Sequence, residues 1–523
     1  MLVIEKARLL ALKLNNPARV LECIPSAKLI KTSTGVELVV SSHGPDEVKV
    51  LRNLGIKAPA PILHYYDWPG RFTPFDHQRL TAAFCTMNQR CLILNEIGTG
   101  KTQSALWAAD YLMKTGMVRK VLVLSPLSTL ERVWGDAVFM QFPHRKHVVL
   151  HGAAAKRLKL LNTDADFYII NHDGLPIIMD EAQGMFDLII VDEAAVYRNA
   201  GTSRFKLFRR YLEKQDPSTR LWLMTGTPTP NAPTDAWTLA RLVQSPHCPG
   251  AFTRFRDMVM EKVGMHRWLP RSGSTEIVKD VLIPAVRYTR DECFDLPPTM
   301  TQTRQVDLTP TQRTYYDKMV KSLVIDLAAY KVTGTVISAA NEAVKLQKMV
   351  QIACGVAYDN DGNNIEIDCK PRVRAVEEVI EEAGEKVIVF VPLTGTLHFL
   401  ERELSKRWSV AVVNGEVSST KRNEIFQNFQ NSPDPKVLLA HPATMAHGLT
   451  LTAASTVIWY GPITSNEQYV QANGRIERIG KRHTSNVVHI VATKLEQQMY
   501  RRLSDRQKMQ GLLLDLIQRH TER

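Results

Sequence analysis

The chain has 523 residues, more than one hydrophobic core serves, so two large domains with smaller additions are expected. At 44% hydrophobic and 23% charged residues it reads as soluble and globular, and no apolar run reaches the ~18 residues of a membrane span. A formal charge of +13 favours a polyanionic partner such as nucleic acid, although a basic enzyme without one can carry the same total.

The opening MLVIEKARLLALKLNN is broken by Glu5, Lys6, Arg8 and Lys13, which argues against a signal peptide. The seven cysteines form no Cys-x-x-Cys pair, against zinc ribbons and a disulfide framework, and a reducing, cytoplasmic setting fits. Residues 1–71 read as a small α/β appendage: ELVVSS as a strand, DEVKVLRNLG as a short helix, and the proline-rich KAPAPILHYYDWPGRF as a linker. Residues 72–285 alternate short β-branched runs with helical patterns: CLIL, VLVL, FYII, DLIIV and LWLM. This is the signature of a parallel, doubly wound sheet. Residues 286–371 read as a helical insertion. The alternation returns over 372–523 with VIVFV, SVAVV, KVLLA, TVIWY and NVVHIV, followed by a helical tail with a basic face. The expected fold is therefore α/β, with two tandem parallel-sheet domains.

The stretch LILNEIGTGKTQSA (92–105) supplies a buried strand, a turn with small residues, and a helix N-terminus, the three parts of a phosphate cradle. Lys101 would reach the β and γ phosphates, and the Thr102 hydroxyl would hold Mg²⁺. The pattern G-x-x-x-x-G-K-T departs at its first position, Asn95, so a plain glycine turn is the competing reading. FDLIIVDEAAVYRN (186–199) then ends a buried strand in two carboxylates. Asp192 could bind Mg²⁺, directly or through water, and Glu193 could orient and deprotonate an attacking water. Both motifs, in this order within one α/β unit, point to nucleotide hydrolysis.

From here the chain resembles superfamily 2 helicases, and among them the Swi/Snf-like ATPases, over roughly residues 72–510. The resemblance implies two RecA-like domains. TPFDHQ looks like the segment whose Gln78 reads adenine. NEIGTGKT looks like motif I, which makes Glu96, Gly98, Thr99, Gly100, Lys101 and Thr102 the ATP-binding loop. VLSPLSTLERVW and IINHDGL look like motifs Ia and Ib, which implies DNA contacts at Ser125, Pro126 and Asn171. LMTGTPTPN looks like motif III, with Thr225, Gly226 and Thr227 coupling nucleotide state to the strand-binding surface. MAHGLTLTAA looks like motif V, with Gly448 and Thr450 on DNA. QANGRIERIGKRH looks like motif VI. On one helix Gln471, Arg475 and Arg478 would share a face, and planar, permanently charged guanidiniums suit a developing γ-phosphate charge. They lie far along the chain from the phosphate loop, so hydrolysis would require the two domains to close.

Two positions depart from the family. Ala195 stands where motif II usually has His, Asp or Gln, so coupling must use other contacts, and motif V has less glycine than usual before Gly448. GLTLTAA followed by QANGRIERIG looks closest to the annealing-helicase, fork-remodelling branch in a minimal viral or bacterial form. The implied protein is a monomeric ATP-driven translocase on double-stranded or branched DNA. Its rivals are a strand-separating DNA or RNA helicase and a nucleic-acid adaptor with a silent ATPase fold. His144, His147 and His151 straddle a loop and a strand and read as structural rather than metal-binding. DNDGN (359–363) reads as a hairpin turn rather than a calcium loop, because its glycine is misplaced. In VGMHRWLPRSG (263–273) basic and aromatic residues interleave, which suits either DNA contact or a surface loop.

Overall fold

The computed structural model describes residues 1–263, 268–294, 299–333, 339–358, 364–445, 451–476 and 484–505. The chain divides into two compact units, one built on Met1–Cys293 and the other beginning at Phe294.

The first unit opens with an antiparallel sheet of β1 (Leu2–Ile4), β2 (Leu9–Leu12), β3 (Lys28–Lys31) and β4 (Glu37–Ser42), in the order β1-β2-β4-β3. Leu10, Leu12 and Val39 from this sheet and Val48 and Leu51 from the helix Pro45–Asn53 lie in the same core as one face of the large sheet that follows. The segment expected as a linker is packed. Ala58, Ala60 and Ile62 are buried, Tyr66 Oη donates to buried Asp110 at 2.7 Å, and Trp107 Nε1 donates to the Pro69 carbonyl at 3.0 Å.

The large sheet contains β5 (Arg90–Ile93), β6 (Val121–Ser125), β7 (His147–Val149), β8 (Phe167–Asn171), β9 (Leu188–Val191) and β10 (Arg220–Met224). A hairpin of β11 (Met260–Lys262) and β12 (Trp268–Pro270) intervenes before the sheet's last strand, β13 (Ala285–Val286). The order is β13-β5-β10-β9-β6-β8-β7, and every pairing is parallel. A parallel sheet is covered on both faces, and successive side chains of each strand alternate between them. Leu122, Leu124, Ile189 and Val191 accordingly enter one core, while Val121, Val123, Leu188 and Ile190 enter the other. The hairpin falls in the basic-aromatic insertion, where the Arg256 guanidinium lies 4.2 Å from the Trp268 ring centre; residues 264–267 lie outside the described residues.

The second unit repeats the plan. Its sheet holds β14 (Thr299–Gln305), β17 (Lys386–Phe390), β18 (Val410–Val413), β19 (Val437–Ala440), β20 (Ala454–Trp459) and β21 (Ser485–Val491), in the parallel order β14-β21-β20-β17-β19-β18. Val387 and Val389 face one core, Ile388 and Phe390 the other. Strand β14 falls in the stretch expected to be helical, which also holds the helices Pro310–Thr333 and Ala339–Ala353. Strands β15 (Val356–Tyr358) and β16 (Asn364–Glu366) pair antiparallel; DNDGN, expected as a hairpin turn, lies outside the described residues, as does the tail from residue 506. No helix among the described residues is long and apolar enough to cross a membrane.

One buried titratable group sets an acid limit. His489 on β21 is enclosed, with Nε2 2.8 Å from Tyr469 Oη and its ring stacked on Tyr500 at 4.0 Å. Burial pushes its pKa down from 6.5 to about 4. The unfolded chain therefore takes up this proton first, so stability is full above the unfolded value and is lost as pH falls towards 4. At pH 5 the loss is about 2 kcal/mol relative to neutral pH. The denaturant midpoint should fall over this window, and His489→Phe should flatten that dependence.

Candidate functional site

The strand order explains how distant motifs meet. The loops that leave the carboxyl ends of β5, β10 and β9 are neighbours, although β10 follows β5 by well over a hundred residues. These loops hold, in spatial order, the phosphate-loop sequence, Thr225–Thr227, and Asp192–Glu193. β6 and β8 continue the row, and Ser125 is paired directly with Asn171.

The loop after β5 turns through Gly98 (φ 90°) and Gly100 (φ 81°) into the helix Lys101–Lys114. Both angles lie in the left-handed region that glycine enters without steric cost. At Gly100 space is also excluded, because a Cβ there would stand 2.1 Å from Gln78 Nε2. Gln78 Nε2 donates to the Thr99 carbonyl at 3.1 Å, and His77 Nε2 lies 2.8 Å from the same oxygen. The candidate adenine reader is thus packed against the candidate phosphate loop. Gly226 approaches from the other side, where a Cβ would lie 3.3 Å from Ile97 Cγ1. Thr225 N–H donates to the Ile93 carbonyl at 3.0 Å, and Thr227 N–H to Thr225 Oγ1 at 3.1 Å.

Asn95, the departure from the motif, is fully buried and acts as a cross-brace. Its Nδ2 donates to Thr81 Oγ1 at 2.9 Å, and its Oδ1 accepts from Tyr288 N–H at 3.0 Å. Glycine could make neither bond. Lys101 Nζ donates to the carbonyls of Asn95 at 2.9 Å and Glu96 at 3.1 Å. Burial pushes its ammonium pKa down, against the pull of Glu193 and Asp192. Two neutral carbonyls are weaker partners for this ammonium than phosphate oxygens. Thr102 follows on the first turn of the helix, half-buried.

Arg287, just beyond β13, is a residue the sequence did not single out. Its guanidinium is buried and donates to the Leu94 carbonyl at 2.8 Å and to Glu96 Oε1 at 2.9 Å. Arg290 N–H donates to Glu96 Oε2 at 2.9 Å. Burial works against the Glu96 charge, but Arg287 and Arg290 together hold the carboxyl below its ordinary pKa. Nothing local foretells a pair separated by 191 residues.

Asp192 follows β9. Its Oδ2 accepts from Trp134 Nε1 and its Oδ1 from Glu193 N–H, both at 3.0 Å. Glu193 itself is left-handed, at φ 48° and ψ 49°, a conformation a non-glycine residue adopts at a cost of about 1–3 kcal/mol and one that clusters at functional sites. Ala195 is fully buried.

The candidate DNA contacts are placed less simply. Ser125 is fully enclosed and accepts from Thr129 Oγ1 at 3.1 Å, and Pro126 is buried, so the exposed part of this segment is Leu127 and Ser128. Asn171 is half-buried, and its Oδ1 accepts from Arg157 at 2.8 Å. In the second unit Gln471 is buried on the helix Asn466–Asn473. That helix ends at Asn473 and is capped by Gly474, so Arg475 stands in the turn beyond it rather than one turn further along a continuous helix. For Gln471 and Arg475 the continuous helix expected from the spacing therefore stops at Asn473. Arg475 is buried and donates through Nε to the Met445 carbonyl at 2.8 Å. Arg478, Gly448 and Thr450 lie outside the described residues. His144 Nε2 is 3.3 Å from Asp110 Oδ1.

This combination of sheet, phosphate loop and paired carboxylates is the frame of a nucleotide hydrolase. The sequence matches the SNF2-related domain over residues 48–354 and the helicase conserved C-terminal domain over residues 371–480. The chain belongs to the SNF2-related family, an ATPase of the helicase class that uses ATP. It is 26% identical over 478 residues to protein p41 of Acyrthosiphon pisum secondary endosymbiont phage 1, covering 86% of this chain and 99% of that protein. It is 25% identical over 417 residues to the SWI/SNF-related matrix-associated actin-dependent regulator of chromatin subfamily A-like protein 1 of Xenopus tropicalis. That match covers 77% of this chain but 41% of the frog protein. The solved SWI2/SNF2 ATPase core of Sulfolobus solfataricus in complex with double-stranded DNA is similar at 21% identity with a TM-score of 0.40, covering 87% of this chain and 96% of that one.

The bracing predicts a specific defect. Arg287→Met should leave the fold intact but take from Glu96 its buried partner, leaving Arg290 alone to hold the charge of the loop. Affinity for a fluorescent ATP analogue, read by anisotropy, should fall about tenfold or more.

Proposed function

We propose that the protein is an ATP-driven translocase on double-stranded DNA, with branched duplexes among its substrates. The observation that carries this reading is the row of loops on one sheet edge. The candidate nucleotide groups stand at β5, β10 and β9, and the candidate backbone-contacting segments stand beside them at β6 and β8. A change at the nucleotide end therefore has a short mechanical route to the nucleic-acid end. The formal charge of +13 supports a phosphate-contacting partner.

In this reading Lys101 and the N–H groups of Gly98–Thr102 bind the β and γ phosphates. Thr102 and Asp192 hold Mg²⁺; their hard oxygen donors fit it, and both Asp192 oxygens are already oriented by hydrogen bonds. Mg²⁺ supplies charge neutralisation at the phosphates when bound. Glu193 activates water, Gln78 reads adenine, Thr225–Thr227 couple, and Gln471, Arg475 and Arg478 act on the γ-phosphate. Asn171, Gly448 and Thr450 belong to the DNA track, together with the segment of Ser125 and Pro126, which reaches the surface through Leu127 and Ser128. A working monomer is sufficient for this scheme.

The test is steady-state ATP hydrolysis without nucleic acid, then with single-stranded DNA, duplex DNA, a four-way junction and duplex RNA at fixed salt. Duplex or junction DNA should stimulate most, and the DNA needed for half-maximal stimulation should rise steeply with salt. A preference for the junction would place the enzyme among fork remodellers and annealing helicases. Stimulation by single strands or RNA alone would make it a strand-separating helicase, and DNA binding without hydrolysis would make it an adaptor. Lys101→Ala should abolish turnover and spare DNA binding. Glu193→Gln should keep nucleotide affinity and lose turnover.

A further inference from the structure

We infer that Trp134 is a positioning residue that ties the exposed motif Ia segment to the Asp192 carboxylate. Its indole is fully buried, and Nε1 donates to Asp192 Oδ2 at 3.0 Å. Glu193 N–H occupies the other oxygen at the same distance. One donor on each oxygen fixes the plane of the carboxylate, and bonds to an ionised acceptor are the stronger kind. Ala195, three residues along the same loop, is fully buried and offers no polar group.

The route to the surface is short. β6 and β9 are paired neighbours, and Asp192 N–H donates to the Leu124 carbonyl at 2.8 Å. After β6 the chain winds tightly as a 3₁₀ turn, Leu127–Thr129, and then widely as a π-helical turn, Leu130–Gly135. Runs of π-helix are uncommon and concentrate at functional sites. This one has two sides. Leu127, Ser128, Glu131 and Arg132 are exposed, while Thr129, Leu130 and Trp134 are buried. A duplex backbone pressing on Arg132 would bear on the turn that carries the indole donor, and Ser128 stands on the 3₁₀ turn that leads into it. This part rests on the duplex-translocase reading above. A tryptophan that simply satisfies its N–H in the core would show the same bond but would have no link to DNA.

Trp134→Phe keeps the aromatic bulk and removes the donor. The experiment titrates Mg²⁺ into protein with a fluorescent ADP analogue, with and without a short duplex, alongside thermal unfolding. The Mg²⁺ midpoint for nucleotide binding should rise about tenfold in the variant while the melting temperature holds. The duplex should tighten Mg²⁺–nucleotide binding in the unaltered protein and not in Trp134→Phe, since coupling between two binding events is reciprocal. A folded variant with the original midpoint and the original duplex effect overturns the inference. If the duplex has no effect on the unaltered protein, the translocase reading fails instead, and the Mg²⁺ midpoint still decides the positioning role. Should Trp134→Phe unfold, the unaltered protein labelled with ¹⁵N-tryptophan replaces it. The indole resonance that moves in Asp192→Asn must also move when duplex is added, and indifference to duplex overturns the link.

Discussion

Parallel pairing between strands remote in sequence is the constraint from which the site follows. Strands in a sheet stand about 4.8 Å apart, so placing β10 and β9 between β5 and β6 brings their carboxyl ends within side-chain reach of the phosphate loop. Because every pairing in the row is parallel, all these ends emerge on the same edge. Helix N-termini and polar turns then share one rim, where open α/β sheets bind ligands at the point where strand order reverses.

On that rim the phosphate loop is held from several directions at once. Asn95 bridges to the helix before it and to the chain after β13. Glu96 is gripped by Arg287 and Arg290, and Gly226 and Gln78 close in against Ile97 and Gly100. A largely buried ion pair such as Glu96–Arg287 is poor evidence of net stability, because desolvation offsets much of the attraction. Its physical contribution here is orientation. It keeps a loop rich in conformational freedom in one shape, so the N–H groups need not be ordered when a polyanion arrives.

Much of this was legible in the sequence where the signal was local. Short apolar runs marked β5, β6, β8, β9 and β10 of the first sheet and β17 to β21 of the second to within a residue or two, because full burial on two faces demands such runs. The phosphate loop and the strand ending in Asp192–Glu193 were visible because glycines and terminal carboxylates have few other reasons to fall there. What stayed hidden depends on partners far along the chain. Asn95 read as a departure from the motif until Thr81 and Tyr288 were beside it, and Arg287 carries no local signal because its partner lies 191 residues away. β14 looked like part of a helical stretch because its strand character is supplied by β21, its partner in the sheet. The spacing of Gln471 and Arg475 matched a helix that Gly474 ends early, and Ser125, exposed by the logic of its motif, is enclosed by Thr129.

The left-handed backbone of Glu193 has a consequence for how this protein can change. An asparagine or glycine at that position would relieve the strain and leave the sheet edge otherwise intact. With Glu193 in its proposed role of activating water, thermostability and turnover pull residue 193 in opposite directions. A lineage or a laboratory selection that rewards robustness alone would drift towards the relaxed backbone and, with the proposed base gone, give up turnover for sturdiness.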